Sequence, residues 1–350
     1  MSGTLALASA IAAMDQETLT SLVLQRRPQA AAGVSDPIGL ASELLRSDAV
    51  SRALAPLDTT RLATLLSLSG DVDLEPDPNL IAELTRLGLV GLDNGNSTPL
   101  PEITLAVQSG LNAAGVSPSE LTATAAAENS DDAGPDTSTW YAAAVTSVGQ
   151  SAEILRHLVD RPGRLNRNGS IAVATIRLLA ESSSVEVTEA TLALRALERA
   201  ELVSTSKASQ LLLSTVATSQ WLAKSYGERW IDLANATMLA MPAPLLGTLG
   251  IAGTDLASAV AALPVQFPLL PPAELTAAAE FIKATEHLGL TVEGMLSAPA
   301  RALLAGDHEA AGVALERDLP AVTSGIYVQP DLSIVVPGPL SPSDEAEVAA

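Results

Sequence analysis

Apolar residues recur every three or four positions through Leu5–Leu24, Ile38–Leu54 and Thr59–Leu68, the spacing that lines one face of an α-helix. Asp58 stands just before the third run, where a short carboxylate accepts hydrogen bonds from first-turn amides, so it predicts an N-cap. The next stretch, "PDPNLIAELTRLGLVGLDNGNSTPLPEITLAV", predicts a helix over Asn79–Leu87 stopped by Gly88. A short strand over Leu89–Leu92 and a reversal in "DNGNS" follow. Helix, strand, polar turn and return is the closing half of a winged helix.

Periodicity then disappears. Residues 117–138, with "ENSDDAGPD" at their centre, are small, acidic and turn-forming and read as a flexible linker. From residue 139 the same grammar returns more fully. "SAEILRHLVDRPGRLNRNG" predicts a helix and a basic turn, "SIAVATIRLLAESS" a second helix, and "VTEATLALRALERAELV" a third, with Thr188 as its N-cap. "ELVSTSKASQLLLST" reads as strand, turn and strand, and "SQWLAKSYGERWIDLANATML" returns to helix. Three helices followed by a hairpin is a winged-helix order.

Residues 238–272 are the most apolar part of the chain, interrupted by Pro242, Pro244 and Pro264 and carrying Asp255, and read as a buried Pro/Gly-rich connector rather than a membrane span. Residues 273–320 predict short helices separated by Gly289, Pro299 and Gly306. Alternating β-branched residues and prolines appear only in "SGIYVQPDLSIVVPGPL", where Ile326 and Val328, a Pro-Asp turn and Ile334–Val336 predict a hairpin. A lone hairpin is marginal in water, because it cannot bury a face by itself.

The expected fold class is therefore mainly α. It comprises an N-terminal helical, winged-helix-like domain (1–116), the linker (117–138), a winged-helix domain (139–237), the connector (238–272), the helical region (273–320) and the start of a further domain (321–350). Composition fits this reading. The 350 residues are 47% hydrophobic but only 2% aromatic, so the cores must be packed from Leu, Ala, Val and Ile, which suits helix-on-helix packing. The absence of cysteine excludes disulfides, thiolate nucleophiles and Cys-ligated zinc, and agrees with a cytoplasmic location. "LALASAIAAM" lacks a positive flank and runs into Asp15, so it reads as a helix and not a signal peptide. A net charge of −21 repels phosphate backbones at long range, leaving only a local basic patch to contact nucleic acid.

The hairpin "YVQPDLSIVVPGPLSP" resembles the opening of the domain at the N-terminus of XPB-type DNA repair helicases, as it occurs in a family of actinobacterial helicase-associated proteins. "WLAKSYGERWIDLANATML", "ATEHLGLTVEGMLSAPARALLAGD" and "GTLALASAIAAMDQETLTSLVLQRRP" are similar to other segments of that family, so the resemblance spans nearly the whole chain. It implies that 321–350 is the first hairpin of a truncated α/β domain. It also implies a role beside a DNA helicase or another DNA-processing protein.

Catalytic motifs do not appear. No Gly-Lys pair exists to build a phosphate loop, and Gly247, Gly250 and Gly253 lack the preceding strand and spacing of a dinucleotide fingerprint. His157, His287 and His308 are too scattered for a metal set, and no GxSxG elbow is present. The expectation is a protein that is not an enzyme and takes no cofactor and no metal. The informative feature is the run from Arg161 to Lys207, where seven cations against five Glu leave about +2. In a winged helix the third helix enters the major groove and the wing meets phosphate, which makes Arg164, Arg167, Arg195, Arg199 and Lys207 the candidate nucleic-acid contacts. The alternative is that Arg195 or Arg199 pairs with Glu198 or Glu201 and faces protein or solvent. Two functions follow: an adaptor that positions or regulates a DNA-processing partner, with at most weak DNA contact, or a winged-helix regulator that reads DNA directly. Trp221 and Trp230, nine residues apart, fall on opposite faces of a straight helix unless Gly227 breaks it, and read as core.

Overall fold

The computed structural model describes residues 3–29, 36–93, 96–121, 136–321, 323, 327–328, 334–335, 338 and 340–349. The chain is mainly helical, with four small antiparallel sheets among the described residues, and divides into two compact units.

The first unit comprises residues 1–128 with 243–251 and 260–276. Its elements are α1 (Gly3–Ala13), α2 (Gln16–Arg26), α3 (Pro37–Leu44), α4 (Ser47–Leu54), α5 (Thr59–Ser69), α6 (Pro78–Arg86), β1 (Val90–Asp93), β2 (Asn96–Pro99) and α7 (Pro101–Ala114). The long runs Leu5–Leu24 and Ile38–Leu54 each divide in two. Asp15 turns extended and accepts from the Thr18 amide at 2.8 Å, restarting the helix, and Arg46 does the same without a side-chain cap. Asp58 caps α5 as expected, accepting from the Arg61 amide at 2.8 Å.

β1 and β2 pair from Val90↔Pro99 to Asp93↔Asn96, while the tip of the "DNGNS" turn lies outside the described residues. Leu7, Leu22, Leu44, Leu65, Leu84 and Ile103 are among the side chains of the core. Arg26, at the end of α2, is 5% exposed and donates to the carbonyls of Leu44 (2.6 Å) and Leu87 (2.7 Å), at the C-terminal ends of α3 and α6. Those helix ends present unpaired carbonyls and negative partial charge, which suits a buried cation. Burial nevertheless pushes its pKa down to about 10.

The second unit comprises residues 129–242, 252–259 and 277–350. In chain order come α8 (Trp140–Asp160), β3 (Gly163–Arg164), α9 (Val173–Ser182), α10 (Val187–Arg199), β4 (Val203–Ser206), β5 (Leu211–Ser214), α11 (Ala217–Leu222) and α12 (Tyr226–Leu239). β5 lies between β3 and β4 in one antiparallel sheet. α10 begins at Val187, so Thr188 is already helical and is not the cap; Glu186 holds that position without a side-chain bond.

The region read as a connector contains α13 (Ala243–Ala252) and α14 (Leu256–Gln266). Pro242 and Pro244 open α13 instead of breaking it, because a first-turn proline gives up only an amide that has no intrahelical partner. Leu245, Leu249, Leu256 and Leu263 are fully buried while Leu246 and Val265 are exposed, so each helix has a core-facing side. Beyond them lie α15 (Pro272–His287), β6 (Thr291–Val292), β7 (Met295–Leu296), α16 (Ala298–Leu304), α17 (His308–Asp318), β8 (Tyr327–Val328), β9 (Ile334–Val335) and α18 (Pro342–Ala349). Pro299 sits in the first turn of α16 and does not separate two helices. The late hairpin pairs Tyr327↔Val335 and Val328↔Ile334; Ile326, Val336 and the Pro-Asp turn lie outside the described residues, as does most of the acidic linker.

All three tryptophans are buried in this unit. Trp140 and Trp230 meet with ring centroids 5.2 Å apart, and Trp230 donates to the Leu288 carbonyl at 2.7 Å. Trp221 donates to the Arg229 carbonyl at 3.2 Å. The helix containing Trp221 ends before Gly227, at Ala223, and a capping box of Ser225 and Glu228 starts the next.

Candidate nucleic-acid interface

The five candidate cations separate into two groups. Arg195 and Arg199 project from α10 toward the part of α15 that belongs to the same unit. Arg195 Nη1 lies 2.9 Å from Glu280 Oε2, and the Arg199 guanidinium stands 5.7 Å from the centroid of the Phe281 ring. Burial lowers the Arg199 pKa, and Arg195 beside it lowers it further. Burial also raises the Glu198 carboxyl, although Arg195 and Arg199 pull it back. The exposed positions of α10 include Glu189 and Glu198 as well as Arg195, so this face has no positive excess. Arg195 therefore pairs within the chain, but with Glu280 and not with the neighbouring Glu198 or Glu201.

Arg164, Arg167 and Lys207 are exposed and, among the described residues, have no ion pair or side-chain hydrogen bond. The backbone around them is ordered by a dense local network. Arg164 lies in β3 opposite Leu211 of β5, which in turn pairs with Ser206 at the end of β4. The Thr175 hydroxyl accepts from the Arg164 amide (2.9 Å) and donates to the Arg164 carbonyl (3.1 Å), tying the start of α9 to β3. Residues 165–171 form a tight reversal, with Leu165 and Ile171 bridged and the Asn166 amide on the Ser170 carbonyl at 2.7 Å; Arg167 is at its tip.

That reversal rests against the β4–β5 turn. The Leu165 amide donates to the Gln210 carbonyl at 2.9 Å. A Cβ added to Gly169 would lie 3.1 Å from Lys207 Cε, so the lysine stem passes close beside this turn, and the φ of +87° there favours glycine. Arg167 and Lys207 are thus carried on two adjoining turns.

Arg161 and Arg177, which the sequence reading left outside its candidate set, are also exposed and have no side-chain partner among the described residues. Arg161 and Arg164 line a cavity of about 260 Å³ with Ala174 and Leu178 of α9. The signal that would have found them is simple: residues 161–180 contain four arginines and no acid, bracketed by Asp160 and Glu181. Among the described residues, no group of three or more His, Asp or Glu side chains comes together as a metal set, and no helix is long and apolar enough to cross a membrane.

No protein-family model matches this chain, and neither a curated protein nor a solved structure matches it.

Proposed function

We propose that the chain is a non-catalytic, helicase-associated adaptor that positions or regulates a DNA-processing partner through the surfaces of a winged-helix unit. The element order α8-β3-α9-α10-β4-β5, with β5 between β3 and β4, supports reading residues 139–237 as that unit. The observation that carries the adaptor reading is the engagement of α10. A helix that reads a major groove needs its polar side chains free for base edges and phosphates. Here Arg195 is paired with Glu280, Arg199 is laid on Phe281, and the remaining exposed positions include two glutamates.

The second reading, a winged-helix regulator that reads DNA through α10, makes the opposite prediction for the same residues. Fluorescence anisotropy of the full chain with duplex and forked DNA separates them, using Arg195→Gln/Arg199→Gln and a dichroism melt to confirm folding. Under the adaptor reading, whatever affinity the wild type has for DNA is unchanged in the variant. Loss of binding in a folded variant overturns it in favour of the regulator.

A further inference from the structure

We infer that the end of the second unit formed by β3, the 165–171 reversal and the β4–β5 turn is a binding surface for the phosphate backbone of duplex nucleic acid. This goes beyond the adaptor reading and concerns a face that α10 does not contribute to.

The distribution of partners is the first argument. Of the 19 Lys and Arg residues, Arg27, Arg161, Arg164, Arg167, Arg177, Lys207 and Lys283 have no side-chain partner among the described residues. Three of these seven, Arg164, Arg167 and Lys207, lie on this surface, and Arg161 and Arg177 come from the end of α8 and from α9 that flank β3 in the chain. Elsewhere every arginine but Arg27 has a side-chain partner, as with Arg61 on Asp58 and Glu83, Arg156 on Glu153, and Arg301 on the Leu296 carbonyl. In a chain of −21 there is no shortage of carboxylates, so an acid-free run with unpaired cations is a local inversion of the molecule's charge.

Geometry is the second argument. Loops usually hold cations loosely, but here the Asn166–Ser170, Leu165–Gln210 and Gly169–Lys207 contacts fix two turns side by side. Ser206, Leu211 and Arg164 lie in one row across three strands. The row places Ser206, the residue before Lys207, ~10 Å from Arg164 across two ordinary strand spacings.

The chemistry selects the partner. Single-strand binding proteins stack bases on exposed aromatic side chains. All three tryptophans are buried, and neither 161–180 nor 203–214 contains an aromatic residue. With no stacking platform and no carboxylate in either segment, the surface suits phosphates held in duplex register, with little dependence on sequence. Arg164 and Arg167 present planar forks to phosphate oxygens and Lys207 a point charge.

The test uses the full chain, a short duplex of mixed sequence, and a titration repeated over a series of salt concentrations. Wild type is expected to bind with a Kd of about 1–100 μM at low salt and to weaken steeply as salt rises. Arg164→Gln/Arg167→Gln/Lys207→Gln is expected to lose about tenfold or more in affinity, and the slope of log K against log salt to fall by about 2 to 3. All three side chains are exposed, so the melting temperature should not move; Arg164→Lys/Arg167→Lys keeps the charge and should retain binding. Absence of duplex binding at low salt, or binding unaltered in the triple variant, overturns the proposal while leaving the adaptor reading untouched. Equal or tighter binding to phosphatidylcholine vesicles containing one-third phosphatidylserine also overturns it, as an anionic-membrane surface.

Discussion

Glu345 supplies the counter-charge of a cation that is otherwise sealed away. The Arg229 side chain is 1% exposed; its Nη1 donates to Glu345 Oε2 at 2.6 Å, its Nη2 to the Leu222 carbonyl, and its guanidinium lies 5.6 Å from the Trp221 ring. Arg156 approaches the same carboxylate at 3.3 Å. A buried charge that loses its partner is strongly unfavourable, so Glu345→Gln, which keeps the shape and removes the charge, should lower the unfolding free energy by about 3 kcal/mol. A urea midpoint equal to that of wild type would show that α18 adds nothing to the unit. Contacts of this kind are not legible in a sequence. Asp58 was, because a cap acts across three residues, whereas Arg229 and Glu345 are 116 residues apart. The same reason explains Arg195: its carboxylates on α10 were visible, and the one it pairs with lies 85 residues further along.

At the scale of elements, punctuation was read better than its consequences. Proline was taken as a breaker in 238–272, yet Pro242 and Pro244 start a helix, since a missing amide is harmless in a first turn. The β6–β7 hairpin was overlooked because "VEGM" lacks an Asn-Gly or Asp-Gly signal. Glu293 (φ 50°) and Gly294 (φ 83°) nonetheless make both central residues left-handed, the conformation a two-residue hairpin turn favours. Gly289, read only as a separator, does more than end α15. Its φ is +69°, and a Cβ there would lie 2.2 Å from the Trp140 carbonyl oxygen. The residue before it provides the carbonyl on which Trp230 is anchored. Gly289→Ala therefore combines left-handed strain with a backbone clash next to the Trp140–Trp230 pair, and should destabilise the chain by about 3 kcal/mol, read as a fall in thermal midpoint and a change in tryptophan emission. An unchanged midpoint and emission would mean that the two segments are not in contact.

For the whole molecule, the pattern of apolar positions conveyed the mainly helical class and the order of elements from 139 to 237, because amphipathic periodicity depends only on which residues face a core. It did not convey the grouping of residues 243–251 and 260–276 with the first unit, which is a matter of long-range packing. Nor did it convey how the cations are distributed. Net charge suggested a protein that avoids polyanions, and position in the winged-helix order suggested that Arg195 and Arg199 would be the exceptions. In the fold α10 is engaged by Glu280 and Phe281, while Arg161, Arg164, Arg167, Arg177 and Lys207 have no partner among the described residues. The proposed adaptor, with α10 engaged inside the chain and duplex phosphates met through β3 and the adjoining turns, is the reading this arrangement supports. The most direct measurement is the change in backbone amide resonances of the full chain as a short duplex is added. The expected result is movement confined to residues 163–170 and 205–210 with α10 unaffected; movement along Val187–Arg199 would contradict it.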